Sequence, residues 1–215
     1  MLDHRIELLS INAATAGVVK NGSRFIRTGI NKTPVVAAVV TAEGLVDDAV
    51  VNTKHHGGPG QAVYAYSAVD LAWWEAELGR SIPPGTFGEN LTLSSFGPDE
   101  PRVGDRYRIG GIELEVSSTR IPCATFQAQM NIASWIDRFR DAERPGWYAR
   151  VITGGSITTG DAVTRTSAPD TNVTVVEVQR LYYDRNAAAE QLRVALDSPI
   201  AERARAYFEK RLRNH

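Results

Sequence analysis

The chain of 215 residues is long enough to bury one sizeable core without disulfide or metal staples. Its 24 basic and 25 acidic residues leave a net charge of −1, which excludes a protein that binds polyanions through its overall field. With 43% apolar and 23% charged residues the composition is globular rather than disordered, and a single cysteine excludes an internal disulfide framework and points to a reducing, cytoplasmic setting.

The first residues, Met1 to Glu7, lack a basic segment followed by an apolar run, so no signal peptide is expected. No apolar run approaches the roughly 20 residues that span a bilayer. Ile6 to Ile11 is the first predicted strand. Val35 to Val40 is a continuous run ended by Glu43-Gly44, and Leu45 to Val51 follows it as another strand. Gln61 to Tyr66 is apolar and strand-like. Ser67-Ala68-Val69-Asp70 then has capping-box spacing, with Leu71, Trp74 and Leu78 on one helical face and Gly79 placed to end the helix.

Leu91 to Leu93 is a short strand. Arg106–Ile109 and Ile112–Val116 form a hairpin across Gly110-Gly111. Ile132, Trp135, Ile136 and Phe139 predict a second helix with a core-facing stripe. Tyr148 to Thr153 and Asp161 to Thr164 are separated by a Gly-rich turn. So many short strands predict a closed or partly closed β-barrel over residues 1–168.

The composition changes near residue 166, where Thr166 to Asn172 reads as a linker. Beyond it the pattern is helical. Thr174-Val175-Val176-Glu177 is a capping box, Leu192 and Leu196 share a face, and Ser198-Pro199 is placed to start a third helix. Its apolar face carries Ile200, Ala204, Tyr207 and Phe208. Residues 170–215 hold eight basic and seven acidic side chains, too balanced for a phosphate-binding face. This three-helix unit is read as a packing or partner-docking element, and nucleic acid and membrane are not expected partners. The fold class is therefore mainly β with helices (α+β), a barrel followed by a small helical domain.

Four stretches carry chemistry. Lys54-His55-His56-Gly57-Gly58-Pro59-Gly60-Gln61 combines a cation with glycines that let backbone amides approach a ligand, though it also reads as a polar turn between strands. Gly85-Thr86-Phe87-Gly88-Glu89-Asn90-Leu91 is a constrained loop leading into a strand. Lys20 to Lys32 contains Lys20, Arg24, Arg27 and Lys32 and no acidic residue, either as a solvated loop or as the wall of a cleft for an anion. Arg120-Ile121-Pro122-Cys123 places the sole thiol between a strand and a helix, with a guanidinium nearby to favour the thiolate that binds soft metals. Taken alone, Cys123 also reads as a small buried hydrophobe.

In this order the stretches resemble the MOSC family, named for the C-terminal domain of molybdenum-cofactor sulfurase, and within it the YiiM-type bacterial subgroup. The resemblance rests on Lys54 to Gly58 with Gln61 to Tyr66, on Gly85 to Leu91, on Val103-Gly104-Asp105 followed by Arg120 to Cys123, and on Thr28 to Pro34. Asn52-Thr53 and Gly60 depart from the residues common there, which bears on substrate contacts. The resemblance implies a barrel that binds a molybdopterin-type molybdenum cofactor, with Cys123 as the thiolate ligand of the metal. It implies a cofactor-binding set of Thr28, Lys32, Lys54, His55, His56, Gly57, Gly58, Gln61, Asn90 and Arg120. His56 and Glu89 are the candidate general acids beside the catalytic Cys123. The implied chemistry is reduction of N-hydroxylated compounds, such as 6-hydroxylaminopurine and hydroxylamines, to amines, a detoxifying reaction. One cysteine cannot hold an iron–sulfur cluster, so the electrons are expected from a separate flavin or iron–sulfur protein. The alternative is a cofactor carrier or sulfur-transfer module with no redox turnover of its own. A homodimer is left open.

Overall fold

The computed structural model describes residues 5–51 and 57–214. Strand β1 (Ile6–Ala13) is followed by a hairpin of β2 (Gly17–Asn21) and β3 (Arg24–Thr28), which turns at Gly22 with φ 60°. The expected single strand from Val35 to Val40 is two strands. β4 (Thr33–Val35) pairs with β1, whereas β5 (Ala37–Thr41) joins another sheet. Val36 bends between them with 77% of its surface exposed. A β-branched run sets strand preference, but it does not say which sheet the strand joins. The strand expected over residues 45–51 shrinks to β6 (Gly44–Leu45), because Asp48 leaves the sheet to accept hydrogen bonds inside the fold.

A single 3-10 turn, Pro59–Gln61, leads into β7 (Val63–Ser67). Every residue of β7 is buried. Val63 and Ala65 enter the barrel interior, and Tyr64 and Tyr66 enter an aromatic cluster outside it. A strand covered on both faces reads as a continuous apolar run rather than an alternating one. Helix α1 (Ala68–Leu78) starts where expected. The Ser67 hydroxyl accepts from the Asp70 amide at 3.0 Å and donates to its carboxylate at 2.7 Å, and Gly79 ends the helix with φ 61°. β8 (Leu91–Leu93) runs parallel to β7.

β9 (Arg106–Ile109) and β10 (Ile112–Thr119) form the predicted hairpin. The helix expected around Ile132 to Phe139 is two short helices, α2 (Ala124–Met130) and α3 (Trp135–Asp141). Asn131 (φ 52°) and Ser134 (φ 56°) break the chain between them, so Ile132 lies in the connection. The stripe survives because Trp135 and Phe139 are one turn apart on α3, both fully buried. β11 (Trp147–Thr153), β12 (Gly155–Thr158) and β13 (Ala162–Thr166) complete the sheets.

The order β13-β9-β10-β11-β7-β8-β1, with β1 pairing back to β13, closes a seven-stranded barrel whose only parallel pair is β7–β8. β12, β5 and β6 form a small second sheet. The chain ends in α4 (Val175–Tyr183), α5 (Ala189–Asp197) and α6 (Glu202–Leu212), packed around Leu192, Phe208 and the barrel's Val103. The Thr174–Glu177 capping box is present in both directions. Ser198 does not start the last helix. Its hydroxyl donates to the Val194 carbonyl and accepts from the Val173 amide, so it closes α5 and α6 begins at Glu202. The helical unit docks on the barrel through the Ala201 amide on the Ser117 carbonyl (2.8 Å) and Arg150 on the Pro199 carbonyl (2.9 Å). No described helix is long and apolar enough to cross a membrane.

Candidate functional site

A cleft opens beside the barrel where β10 ends and α2 begins. One wall is the β2–β3 hairpin and the loop after it. The other runs from β7 and β11 to the 3-10 turn. Gly29 joins two parts of this wall, since a Cβ there would lie 1.8 Å from the Ala49 carbonyl oxygen and only glycine lets the backbones meet. Of the sequence candidates, Thr28, Lys32, Gly57, Gln61, Asn90, Arg120 and Cys123 all line this cleft. Segments far apart in the sequence thus converge on one place. Gly58 does not line it. Lys54, His55 and His56 lie outside the described residues.

Cys123 is the N-cap of α2, in extended conformation with φ −128° and ψ 169°. Its side chain makes no capping hydrogen bond to the first helical turn, and it lines the cleft with Arg120. The preceding strand is buried through Thr119, and Arg120 follows it with only 5% of its surface exposed. The Arg120 guanidinium carbon lies 4.3 Å from the Phe126 ring centroid and 4.8 Å from that of Tyr64. Its Nε has no hydrogen-bond partner, and among the described residues it takes part in no ion pair. Burial opposes its charge while Tyr148, Tyr64, Cys123 and Glu89 favour it, and the net displacement of its pKa is upward. Burial pushes the phenols of Tyr64 and Tyr148 above their ordinary range, so both stay protonated at neutral pH.

Lys32 and Asp48 form a buried ion pair in the same wall. Asp48 also accepts from the Ala14 amide at 2.9 Å and from Asn90 Nδ2 at 2.8 Å. Burial lowers the Lys32 pKa and Asp48 opposes that shift. Lys32 is therefore held in an ion pair with a carboxylate, whereas Arg120 has no ion pair among the described residues. Asn90 serves as a bracket, with Oδ1 accepting from the Tyr64 amide at 3.1 Å. Thr28 Oγ1 accepts from the Ile30 amide and holds the turn.

Glu89 lies behind the cleft, fully buried. Its carboxylate accepts from the amides of Gly85 (2.6 Å) and Phe87 (3.1 Å) and from Thr92 Oγ1 (3.2 Å). Burial raises its pKa, and those hydrogen bonds work against the rise. It closes the 85–91 loop and does not face the cavity. Four residues of the site went unnoticed in the sequence. Asp48, Tyr64 and Tyr148 line the cleft, and Arg203 of α6 donates to the Gln61 side-chain oxygen at 3.1 Å. Arg203 is remote in sequence from every motif, and Tyr64 and Tyr148 read only as members of predicted strands, Tyr64 within the Gln61 to Tyr66 stretch.

The donor set fits an anionic group that also takes a thiolate. A buried guanidinium with no ion-pair partner among the described residues, beside a cysteine and two neutral phenols, favours negative charge in the cavity. That suits a phosphorylated, dithiolene-bearing molybdenum cofactor.

A family model described as MOSC domain matches residues 52–164, and one described as YiiM-like, 3-alpha helix domain matches residues 173–215. The chain is 27% identical over 213 residues to the protein YflK of Bacillus subtilis (strain 168), spanning 98% of this chain and 96% of that one. It is 29% identical over 182 residues to a protein of Gibberella moniliformis (strain M3125 / FGSC 7600) named a reductase, spanning 81% of this chain and 32% of that longer one. YiiM from Geobacillus stearothermophilus superposes with a TM-score of 0.79 at 25% identity, covering 96% of this chain and 99% of that one.

Proposed function

The chain belongs to the MOSC domain family, and on that premise we propose that it is a molybdenum-cofactor-dependent reductase of N-hydroxylated compounds. The family is associated with that cofactor, and a distant relative is named a reductase. The observation that carries the reading is the Arg120–Cys123 pair in one cleft, a cation without a carboxylate next to the sole thiol.

When bound, the cofactor would supply the two-electron chemistry that cleaves an N–O bond. Cys123 would hold the metal as thiolate. Arg120, clamped between two rings, would hold the anionic part with no reorganisation, since its side chain is already fixed. The protonated phenol of Tyr148 would donate a hydrogen bond to oxygen, whereas that of Tyr64 already donates to the Pro145 carbonyl at 2.7 Å. A hydroxylamine also needs protons to leave as amine and water. Glu89 turns its carboxylate to backbone amides, so the described wall offers Lys32 Nζ, kept polarised by Asp48, in its place.

Metal analysis of wild type beside Cys123→Ser, both from a host that makes the cofactor, tests this. Molybdenum in the wild type alone, with 6-hydroxylaminopurine reduction by an artificial donor, is the expected result. Wild type without molybdenum, or a serine variant that retains it and its activity, overturns the reading. A persulfide mass on Cys123 without metal would favour a sulfur-transfer module instead.

A further inference from the structure

We infer that the outward face of the β2–β3 hairpin is the docking surface for an acidic electron-donor protein. This rests on the reductase reading above, which needs electrons that the chain has no centre of its own to store. Reduction of one hydroxylamino group takes two electrons and two protons and releases water. The two electrons come from one reduced flavin oxidised by two electrons, or from two reduced iron–sulfur proteins each oxidised by one.

The register of the hairpin separates two faces. Val18 pairs with Arg27 and Lys20 with Phe25, while Val19 pairs with Ile26. Val19 is buried in the aromatic cluster with Tyr64 and Phe126, and Ile26 lines the cleft. The opposite face points to solvent. There Val18 is 57% exposed and Phe25 73% exposed, with Lys20 beside them; Arg27 shares this face and also reaches the cleft lining, and Arg24 is exposed at the hairpin end, paired with Asn21. An exposed phenylalanine at this level is costly, because a large apolar ring is left in water.

Charge names the occupant. No acidic residue occurs between Glu7 and Glu43, although the whole chain carries −1. Lys32 is answered by Asp48, but Lys20, Arg24 and Arg27 are in no ion pair among the described residues. An apolar centre ringed by cations fits a compact acidic patch, and weak electron-transfer interfaces are small. A nucleic acid or a lipid surface would instead meet the net-negative remainder of the chain. Location supplies the purpose. A redox centre docked on this face is separated from the Cys123 cleft by a single two-stranded ribbon, a layer about 10 Å thick.

The test uses the full-length holoprotein and two variants outside the cleft lining, the double variant K20E/R24E and the single variant F25S. Reduction of 6-hydroxylaminopurine is followed with reduced methyl viologen, and separately with reduced flavodoxin and reduced [2Fe–2S] ferredoxin, both acidic. With methyl viologen all three proteins should turn over within twofold of one another. With a protein donor, K20E/R24E should raise KM at least tenfold. The wild-type KM should climb steeply with salt and that of K20E/R24E should not. Several outcomes overturn the inference. One is an unchanged KM for the protein donor. A second is wild type active with methyl viologen but with neither protein. A third is an equal loss with methyl viologen, which would mean the hairpin acts on the site itself. A fourth is a change of oligomeric state in F25S, which would make the face a contact between copies. Wild type inactive even with methyl viologen fails the reductase reading first, and this inference with it.

Discussion

Two arginines in this molecule have side chains largely withdrawn from solvent, and they sit in opposite situations. Arg165, on β13 at the closed side of the barrel, meets Asp105 at 2.6 Å and donates to the carbonyls of Phe96, Asp99 and Glu100. Asp105 is itself held by the amides of Arg102 and Ala168. Arg120, at the cleft, has two aromatic rings and no carboxylate. Both leave Nε without a partner, so that atom alone does not separate them. The missing counter-charge does. Burial marks a residue the fold depends on; burial without an answering charge marks one kept ready for something that arrives later.

The sharpest way to break this contrast is to remove each guanidinium. Arg165→Met strands Asp105 and should cost about 3 to 5 kcal/mol in a denaturant titration, while molybdenum per folded molecule stays unchanged. Arg120→Met should do the reverse. Losing two ring contacts is offset by losing a lone buried charge, so stability should stay within about 1 kcal/mol. Cofactor retention should fall by about 100-fold or more, read as metal content after gel filtration. Equal effects of the two variants on either readout would erase the distinction.

Glu89 is the smallest and third case, a buried charge with hydrogen bonds but no ion partner. Its folded pKa is raised, so folding favours the protonated form. The stability this contributes is present below the ordinary glutamate value and is lost as pH rises through the raised one. Glu89→Gln should remove that decline, which has a slope of at most about 1.4 kcal/mol per pH unit. Unfolding midpoints at a series of pH values check it, and a parallel decline in wild type and variant would show that the three hydrogen bonds already settle the charge.

Much of the scaffold was legible because its signals are local. Gly110-Gly111 between alternating strands, the Ser67 and Thr174 caps and the strand–Cys123–helix junction each span a few residues and appear where expected. What failed depended on distant partners. The run 35–40 splits because its halves answer to different sheets, and Ser198 reads as a helix start until Val173 and Val194 claim its hydroxyl. In the site, the motifs named residues of the cleft without their working state. Lys32 is neutralised by an aspartate 16 positions away, and Glu89 faces inward to its own loop. Tyr64 and Tyr148 read as strand residues, and what brings their rings together, 4.8 Å apart, is the pairing of β7 with β11.

Asp48 also says something about time. Its carboxylate gathers the Ala14 amide, the Lys32 ammonium and the Asn90 amide, partners 34, 16 and 42 positions away. Each is a loop that must close before the contact rewards it. On the ribosome, a chain that has not yet reached residue 90 cannot complete this knot, and one that has not reached residue 123 has no thiol to offer. The cleft also takes Tyr148 from β11, so its lining cannot be complete before that strand has been made.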